Sequence, residues 1–269
     1  MLLYLWMIVQ IVCESLPISS SGHSFLLQQL IYKYQFVDGL MSCDLWAFDY
    51  VLQGVSAAVI FFYFFPFWWE LIVCKPISIS SLWQADLWKK TVPKVFLFGL
   101  LADGVTFLFW YFGAFEKTNV HVACGFILTG IILWLSQFAC EKKDIAIWSL
   151  KNALIVGAVQ GLAIFPGISR FGATVTTLQW LGYQGRIAFA ISFLLQWPLS
   201  FAGALKGFFA LHDSFIIKTM MTGQFFTMTV LSCCVAYGLL VGVGKIIDKK
   251  LLWKFSYYMI IPSIIALLI

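Results

Sequence analysis

Two polar stretches interrupt an otherwise apolar sequence, and they contain residue types that suit phosphate chemistry. The first runs from Gln10 to His23 and includes Glu14 and three consecutive serines. The second runs from Gln160 to Thr174 and includes Ser169 and Arg170. Polar and ionisable groups are costly inside a membrane, so their occurrence within apolar segments indicates a functional site.

Arg170 is the most informative residue of the second stretch. Its planar guanidinium group suits a phosphate or a carboxylate. Helix starts predicted near Ser20 and Phe171 would add free N–H groups and the positive ends of helix dipoles. The alternative is a structural role in which Arg170 pairs with Glu14. We predict a site for a phosphorylated headgroup, and the residues expected to contact phosphate are Ser19, Ser21, Gly22, Ser169, Arg170 and Thr174.

The first stretch carries the groups that could react. Gln10 lies one helical turn before Glu14, so both side chains face the same way on a helix. Glu14 could bind a divalent cation, or it could orient or deprotonate a nucleophile. His23 lies three residues after Ser20, close enough to be its proton partner, and it could equally contact phosphate or act as a nucleophile.

The composition is that of an integral membrane protein. Hydrophobic residues make up 62% of the 269 residues and charged residues 11%, and the mean hydropathy is +0.93. These values exclude an ordinary soluble domain. The net charge of +5 comes mainly from basic residues in loops, where the positive-inside rule explains them, so we reject nucleic-acid binding.

The order of the apolar segments predicts an all-α membrane protein with six full spans and two re-entrant hairpins. Residues 1–32 and about 152–181 each contain two apolar pieces too short to span a bilayer, joined by a polar turn. Irregular backbone at membrane depth is tolerated where it lines a cavity, so we interpret both segments as hairpins. The predicted full spans are about 46–67, 95–112, 120–139, 187–205, 223–244 and 253–269.

The charge distribution supports this topology. If both hairpins return to their own side of the membrane, most of the 17 Lys and Arg residues fall on one side. Three spans then follow each hairpin, which is the pattern of an inverted repeat. We therefore predict one polytopic domain over residues 1–269, with repeats at about 1–140 and about 145–269.

Both polar stretches resemble the signatures of a known family. The pattern Glu-x-x-Pro-Ile-Ser-Ser-x-Gly-His, read from Glu14, is similar to the first signature of the undecaprenyl-pyrophosphate phosphatases. The segment from Pro166 to Thr174 resembles the second signature, and the region from Phe189 to Leu205 is also similar. The length and the span pattern agree over essentially the whole chain.

The resemblance implies an enzyme of the bacterial cytoplasmic membrane that removes one phosphate from undecaprenyl diphosphate and so recycles the lipid carrier of cell-wall synthesis. It implies bacitracin resistance on overproduction, a divalent cation (Mg or Ca), and a polyprenyl diphosphate and membrane lipid as partners. A homodimer is a further expectation. The family's acidic pair corresponds to Gln10 and Glu14, which we expect to hold the metal. The family's nucleophilic serine, its histidine, and its phosphate-binding Ser, Arg and Thr correspond to Ser20, His23, Ser169, Arg170 and Thr174.

We therefore expect Glu14, Ser20, His23 and Arg170 to be catalytic, with the choice between Ser20 and His23 as nucleophile open. Two positions depart from the family pattern: Gln10 replaces an acid, and Phe171 replaces a serine. A lipid-phosphate or anion transporter of the same architecture is the alternative function, and a protein with reduced turnover is a third. Transport requires binding but no nucleophile, so the Glu14–Ser20–His23 set favours the enzyme.

Overall fold

The structure is a computed structural model that describes residues 2–33, 42–73, 97–108, 111, 118–140, 149–211 and 215–269. Within these residues the secondary structure is helical, with no strand, as predicted. The helices are α1 (Leu2–Glu14), α2 (Ser20–Lys33), α3 (Ser42–Val73), α4 (Leu97–Leu108), α5 (Asn119–Leu135), α6 (Leu150–Leu162), α7 (Arg170–Trp180), α8 (Gly185–Ala210), α9 (Phe215–Met220), α10 (Gly223–Asp248) and α11 (Phe255–Leu268).

Four helical segments are long and apolar enough to cross a membrane, and each coincides with a predicted span. They are Asp44–Pro66, Asn119–Phe138, Gly185–Ala210 and Gly223–Asp248. The other two predicted spans correspond to shorter apolar helices, α4 and α11. Most of the loops predicted at 33–44 and 68–94, and the predicted turn at Glu116 and Lys117, lie outside the described residues.

Each polar stretch forms a turn between two short helices. The first turn joins α1 to α2 and the second joins α6 to α7. In the first, the Ser19 hydroxyl accepts a hydrogen bond from the Gly22 amide at 3.2 Å. In the second, the Ser169 hydroxyl accepts from the Gly172 amide at 3.1 Å. Both helices therefore begin with a serine N-cap, which satisfies a backbone N–H that has no partner inside the helix.

Glycines allow the two turns and α5 to pack closely. A Cβ atom at Gly22 would lie 2.6 Å from Cζ of Phe126, and one at Gly125 would overlap the carbonyl oxygen of Pro166. Gly167 has φ +89°, in the left-handed region that only glycine adopts readily. A side chain at any of these glycines would force the turns away from α5.

Thr129 of α5 fixes the backbone of the second turn. Its hydroxyl donates to the Gly167 carbonyl at 3.0 Å and accepts from the Ser169 amide at 2.9 Å. The two turns also approach each other, since a Cβ atom at Gly172 would lie 3.1 Å from the Pro17 carbonyl oxygen. The N-terminal ends of α2 and α7 are consequently held side by side.

The long helices α3 and α8 pack against each other and support the turns from one side. Small residues shape this contact: a Cβ atom at Gly54 would lie 2.7 Å from Cβ of Ala204. Small residues let the backbones of membrane helices approach closely. The Trp197 indole N–H donates to the Ala57 carbonyl at 3.1 Å, which fixes α8 against α3 near the turns.

Candidate active site

The two turns enclose a partly open cavity with about 400 Å³ of empty space. Its walls come from both turns and from the long helices α3 and α8. The lining residues are Cys13, Glu14, Leu16, Ile18, Ser19, Ser20, Ser21, Gln53, Ala163, Ile168, Ser169, Arg170, Phe171 and Gln196. The structure thus brings together the predicted residues Glu14, Ser19, Ser20, Ser21, Ser169 and Arg170.

Glu14 is the acidic residue of this cavity, and both of its carboxylate oxygens are hydrogen-bonded. The Ser20 hydroxyl donates to Oε2 at 2.6 Å. The Gln196 side-chain amide donates to Oε1, also at 2.6 Å. Glu14 is 8% exposed, so the interaction is shielded from bulk water. A serine hydroxyl bonded to a buried carboxylate is the arrangement of a nucleophile beside its general base.

Arg170 supplies the positive charge of the cavity. Among the described residues it forms no ion pair, so the structural pairing with Glu14 is not found. Its Nε and Nη1 atoms are buried and have no hydrogen-bond partner among those residues. Buried polar groups are nearly always hydrogen-bonded in native proteins. These two donors are therefore in place to bind an anionic ligand in the cavity.

The N-terminal ends of α2 and α7 both lie at the cavity. Arg170 is the first residue of α7, and Ser20 is the first residue of α2. The Ser21 hydroxyl lies 3.2 Å from that of Ser19, and both line the cavity. Two helix N-termini beside one cavity add their dipoles to the charge of Arg170, which favours a phosphate group.

His23 has a different environment from the one that its spacing to Ser20 predicts. Its Nδ1 lies 2.6 Å from the Ser19 carbonyl oxygen, and its Nε2 lies 2.9 Å from the Tyr258 hydroxyl. The ring also stacks on Tyr258, with centroids 5.8 Å apart. Both ring nitrogens are engaged away from the Ser20 hydroxyl, whose hydrogen bond goes to Glu14.

Three other predicted residues, Gln10, Gly22 and Thr174, lie outside the lining of the cavity. The Gln10 side-chain oxygen, Oε1, accepts a hydrogen bond from the Ser24 hydroxyl at 3.0 Å, and Gln10 is fully buried. The Thr174 hydroxyl donates to the Arg170 carbonyl at 2.9 Å and also contacts the Ser192 hydroxyl. Gly22 is buried at the contact with α5.

A second, mostly apolar groove adjoins the cavity. It has about 730 Å³ of empty space and lies among α3, α4 and α8. Gln53 and Arg170 line both the cavity and the groove, so the two spaces are adjacent. The groove's apolar lining includes Phe107, Ile164 and Leu199.

Two glutamines of the long helices belong to the site although they are far from either polar stretch in sequence. Gln53 of α3 and Gln196 of α8 both line the cavity. Gln196 bonds across helices, to Glu14. In the sequence, each is an amide side chain in the middle of an apolar span. That feature does not predict whether the amide faces a cavity or a neighbouring helix.

The sequence matches the family model described as bacitracin resistance protein BacA over residues 4–265. An undecaprenyl-diphosphatase of Borreliella burgdorferi is 31% identical over 272 residues, which cover 96% of this chain and 94% of that protein. An undecaprenyl-diphosphatase of Elusimicrobium minutum is 34% identical over 203 residues, covering 73% of this chain and 71% of that protein. An undecaprenyl-diphosphatase of Alkaliphilus metalliredigens is 28% identical over 264 residues, which cover 93% of this chain and 91% of that protein. The chain therefore belongs to the BacA family of bacitracin resistance proteins.

Proposed function

We propose that this protein is an undecaprenyl-diphosphatase of the bacterial cytoplasmic membrane. It hydrolyses undecaprenyl diphosphate to the monophosphate and inorganic phosphate, and so recycles the lipid carrier of cell-wall synthesis. The observation that carries the proposal is the Ser20 hydroxyl, which donates to the Glu14 carboxylate at 2.6 Å. This pair shares a cavity with Arg170, whose buried guanidinium nitrogens have no partner among the described residues.

In the first step, the Ser20 oxygen attacks the terminal phosphorus of the diphosphate. Glu14 Oε2 accepts the hydroxyl proton as the Ser20 O–P bond forms and the bond to the bridging oxygen breaks. Undecaprenyl monophosphate leaves with the bridging oxygen, and a phosphoserine remains. Arg170 and the N-terminal ends of α2 and α7 stabilise the negative charge on the transferred phosphoryl group.

In the second step, water attacks the phosphoserine phosphorus and inorganic phosphate leaves. Glu14 returns its proton to the Ser20 oxygen as the bond from that oxygen to phosphorus breaks, and the ionised carboxylate takes a proton from the attacking water. That proton then leaves with the phosphate or passes to solvent, so Ser20 regains its hydroxyl and Glu14 its ionised carboxylate. Ser20 is favoured over His23 as nucleophile because both His23 ring nitrogens contact other groups. In this mechanism His23 supports the first turn through the Ser19 carbonyl.

The cavity offers one carboxylate to the divalent cation that the family resemblance implies. Mg²⁺ is commonly held by one or two carboxylates together with substrate phosphates and water. Glu14 would supply the carboxylate, whereas Gln10, the other expected ligand, lies outside the cavity lining and accepts a hydrogen bond from Ser24. No cluster of three or more His, Cys, Asp or Glu side chains is found among the described residues. The site therefore fits a cation that Glu14 would share with the diphosphate and with water. A bound cation would neutralise phosphate charge.

The apolar groove fits the lipid part of this substrate. It shares Arg170 and Gln53 with the cavity, and in the proposal the first isoprene units lie in the groove while the diphosphate reaches Ser20. The volume of about 730 Å³ suits only part of an undecaprenyl chain, so the remainder would extend into membrane lipid.

An inverted repeat and a multi-pass arrangement are part of the proposal. The paired serine caps at Ser19 and Ser169, each bonded to a glycine amide three residues later, support it. The four long apolar helices support a position in the membrane. The boundaries of the two repeats and the expected homodimer stay predictions.

Phosphate release by the purified protein tests the proposed function. The assay uses undecaprenyl diphosphate in detergent, without a membrane or a gradient, so a transporter would release no phosphate. We expect the wild-type protein to release one phosphate per lipid. Glu14→Gln keeps the size of the side chain but replaces one acceptor oxygen by an NH2 donor and removes the base, and we expect at least about a 100-fold lower rate. No release by the wild type, or equal release by Glu14→Gln, would contradict the proposal.

A further inference from the structure

Gln196 makes a contact that neither polar turn can make for itself. It lies on α8, 182 residues from Glu14 in the sequence, and it is 2% exposed. Its Nε2 atom donates to Glu14 Oε1 at 2.6 Å, while the Ser20 hydroxyl occupies the other oxygen. The Glu14 carboxylate is therefore held between two donors, one from α8 and one from the first turn.

The position of the carboxylate would otherwise be poorly defined. The terminal torsion of a glutamate side chain has a broad, roughly two-fold preference, so the carboxylate group rotates easily. A hydrogen bond to an ionised group is stronger than a neutral one and fixes orientation. With Oε1 held by an amide on a separate helix, rotation of the Glu14 carboxylate would cost that bond.

The amide itself has one chemically consistent orientation. Its N–H group faces the carboxylate, since turning the amide over would place its carbonyl oxygen against an acceptor-only group. The remaining atom, Gln196 Oε1, is buried without a partner among the residues that the structure describes, and Gln196 lines the cavity. The same side chain thus contacts the base and borders the space where the phosphate would bind.

We propose that Gln196 is a positioning residue of the hydrolysis, which holds Glu14 in the orientation that accepts the Ser20 proton. The proposal rests on the proposed function and extends it to α8, outside both polar turns. It predicts that Gln196 acts on the chemical step, whereas binding of the diphosphate depends mainly on Arg170.

The first test is Gln196→Met, which keeps the length of the side chain but has no donor. Loss of one hydrogen bond to a charged group corresponds to about a 10- to 100-fold change in rate. We expect kcat for phosphate release to fall by this factor, with KM within about threefold of the wild-type value. If Gln196 were only structural, the variant would yield less folded protein, but the folded fraction would keep the wild-type kcat and KM.

The second test measures single-turnover formation of the phosphoserine by Gln196→Met. Positioning of Glu14 acts on removal of the Ser20 proton, so we expect this step to slow by the same factor as kcat. A merely structural role would lower the fraction of protein that reacts without changing the rate of this step.

Gln179→Met is the matched control. Gln179 is also buried, and it lies near the C-terminal end of α7, outside the cavity lining. We expect a kcat within about threefold of wild type. Wild-type kcat in Gln196→Met, an equal kcat loss in Gln179→Met, or a wild-type rate of phosphoenzyme formation in Gln196→Met would overturn the positioning role. Absence of phosphate release by the wild type would instead refute the proposed function.

Discussion

Replacing Arg170 gives a quantitative test of the phosphate site. Its Nε and Nη1 atoms are buried and have no partner among the described residues, so we assign both donors to the substrate. A hydrogen bond to a charged group is worth about 1.5–3 kcal/mol. Loss of both in Arg170→Ala should therefore cost about 3–6 kcal/mol of transition-state stabilisation, or roughly a 10²- to 10⁴-fold drop in kcat/KM.

Arg170→Lys separates charge from geometry. A lysine keeps the positive charge but lacks the planar pair of donors. We expect it to lose about one of the two hydrogen bonds and to lower kcat/KM roughly 10- to 100-fold. Neither substitution removes a hydrogen bond within the described residues, because Arg170 Nε and Nη1 donate to no acceptor there. The melting temperature should consequently stay near the wild-type value.

The assay measures phosphate release from undecaprenyl diphosphate over a range of lipid concentrations in detergent. Arg186→Ala is the matched control, since Arg186 bonds Asp248 through Nε at 2.7 Å and Nη2 at 2.6 Å, away from the cavity. Its side chain is 71% exposed, and exposed ion pairs contribute about 0–1 kcal/mol. We expect wild-type activity from this control. Wild-type kcat/KM in Arg170→Ala would refute the assignment of the phosphate site.

Three further predictions follow from the site and its supports. Ser20→Ala should abolish a phosphoenzyme that is trapped by acid quench, whereas His23→Ala should still form it; the reverse pattern would make the histidine the nucleophile. Gly125→Ala should lower the melting temperature, because its Cβ would overlap the second turn. Gly238→Ala is the control and should leave the melting temperature unchanged, because no atom lies within 4 Å of the added carbon. Equal melting temperatures for the two variants would contradict the close packing of α5 against the turn. A chelator should remove activity, and added Mg²⁺ or Ca²⁺ should restore it. Calorimetric titration of the cation in the presence of substrate should show that Glu14→Gln binds the cation more weakly than the wild type does.

The local features of the two turns could be predicted from the sequence. Apolar pieces too short to span a bilayer, joined by polar residues, predicted the two breaks, and new helix starts were predicted near Ser20 and Phe171. Helices do begin at Ser20 and Arg170. These predictions succeeded because helix termination, N-capping and membrane length depend on neighbouring residues. The all-helical class and the family were likewise evident from composition and from the two signatures.

The partners of the reactive groups were decided by the tertiary structure. Gln10 and Glu14 face the same side of α1 by their spacing, yet Glu14 reaches the cavity while Gln10 bonds Ser24. Glu14 lies at the end of α1, beside the turn, and Gln10 lies one turn deeper among packed helices. His23 was close enough to Ser20 in sequence, but its ring nitrogens contact the Ser19 carbonyl and Tyr258 of α11.

The sequence by itself therefore predicted the groups of the proposed site: a serine, a carboxylate and an arginine beside two breaks between apolar helices. It could not show that Gln196 would hold the Glu14 carboxylate, because 182 residues separate them and no local rule relates their positions. That contact exists only because α8 packs beside both turns. Side-chain types and short spacings are properties of the chain, whereas the orientation of a buried carboxylate depends on which distant helix supplies its hydrogen-bond donor.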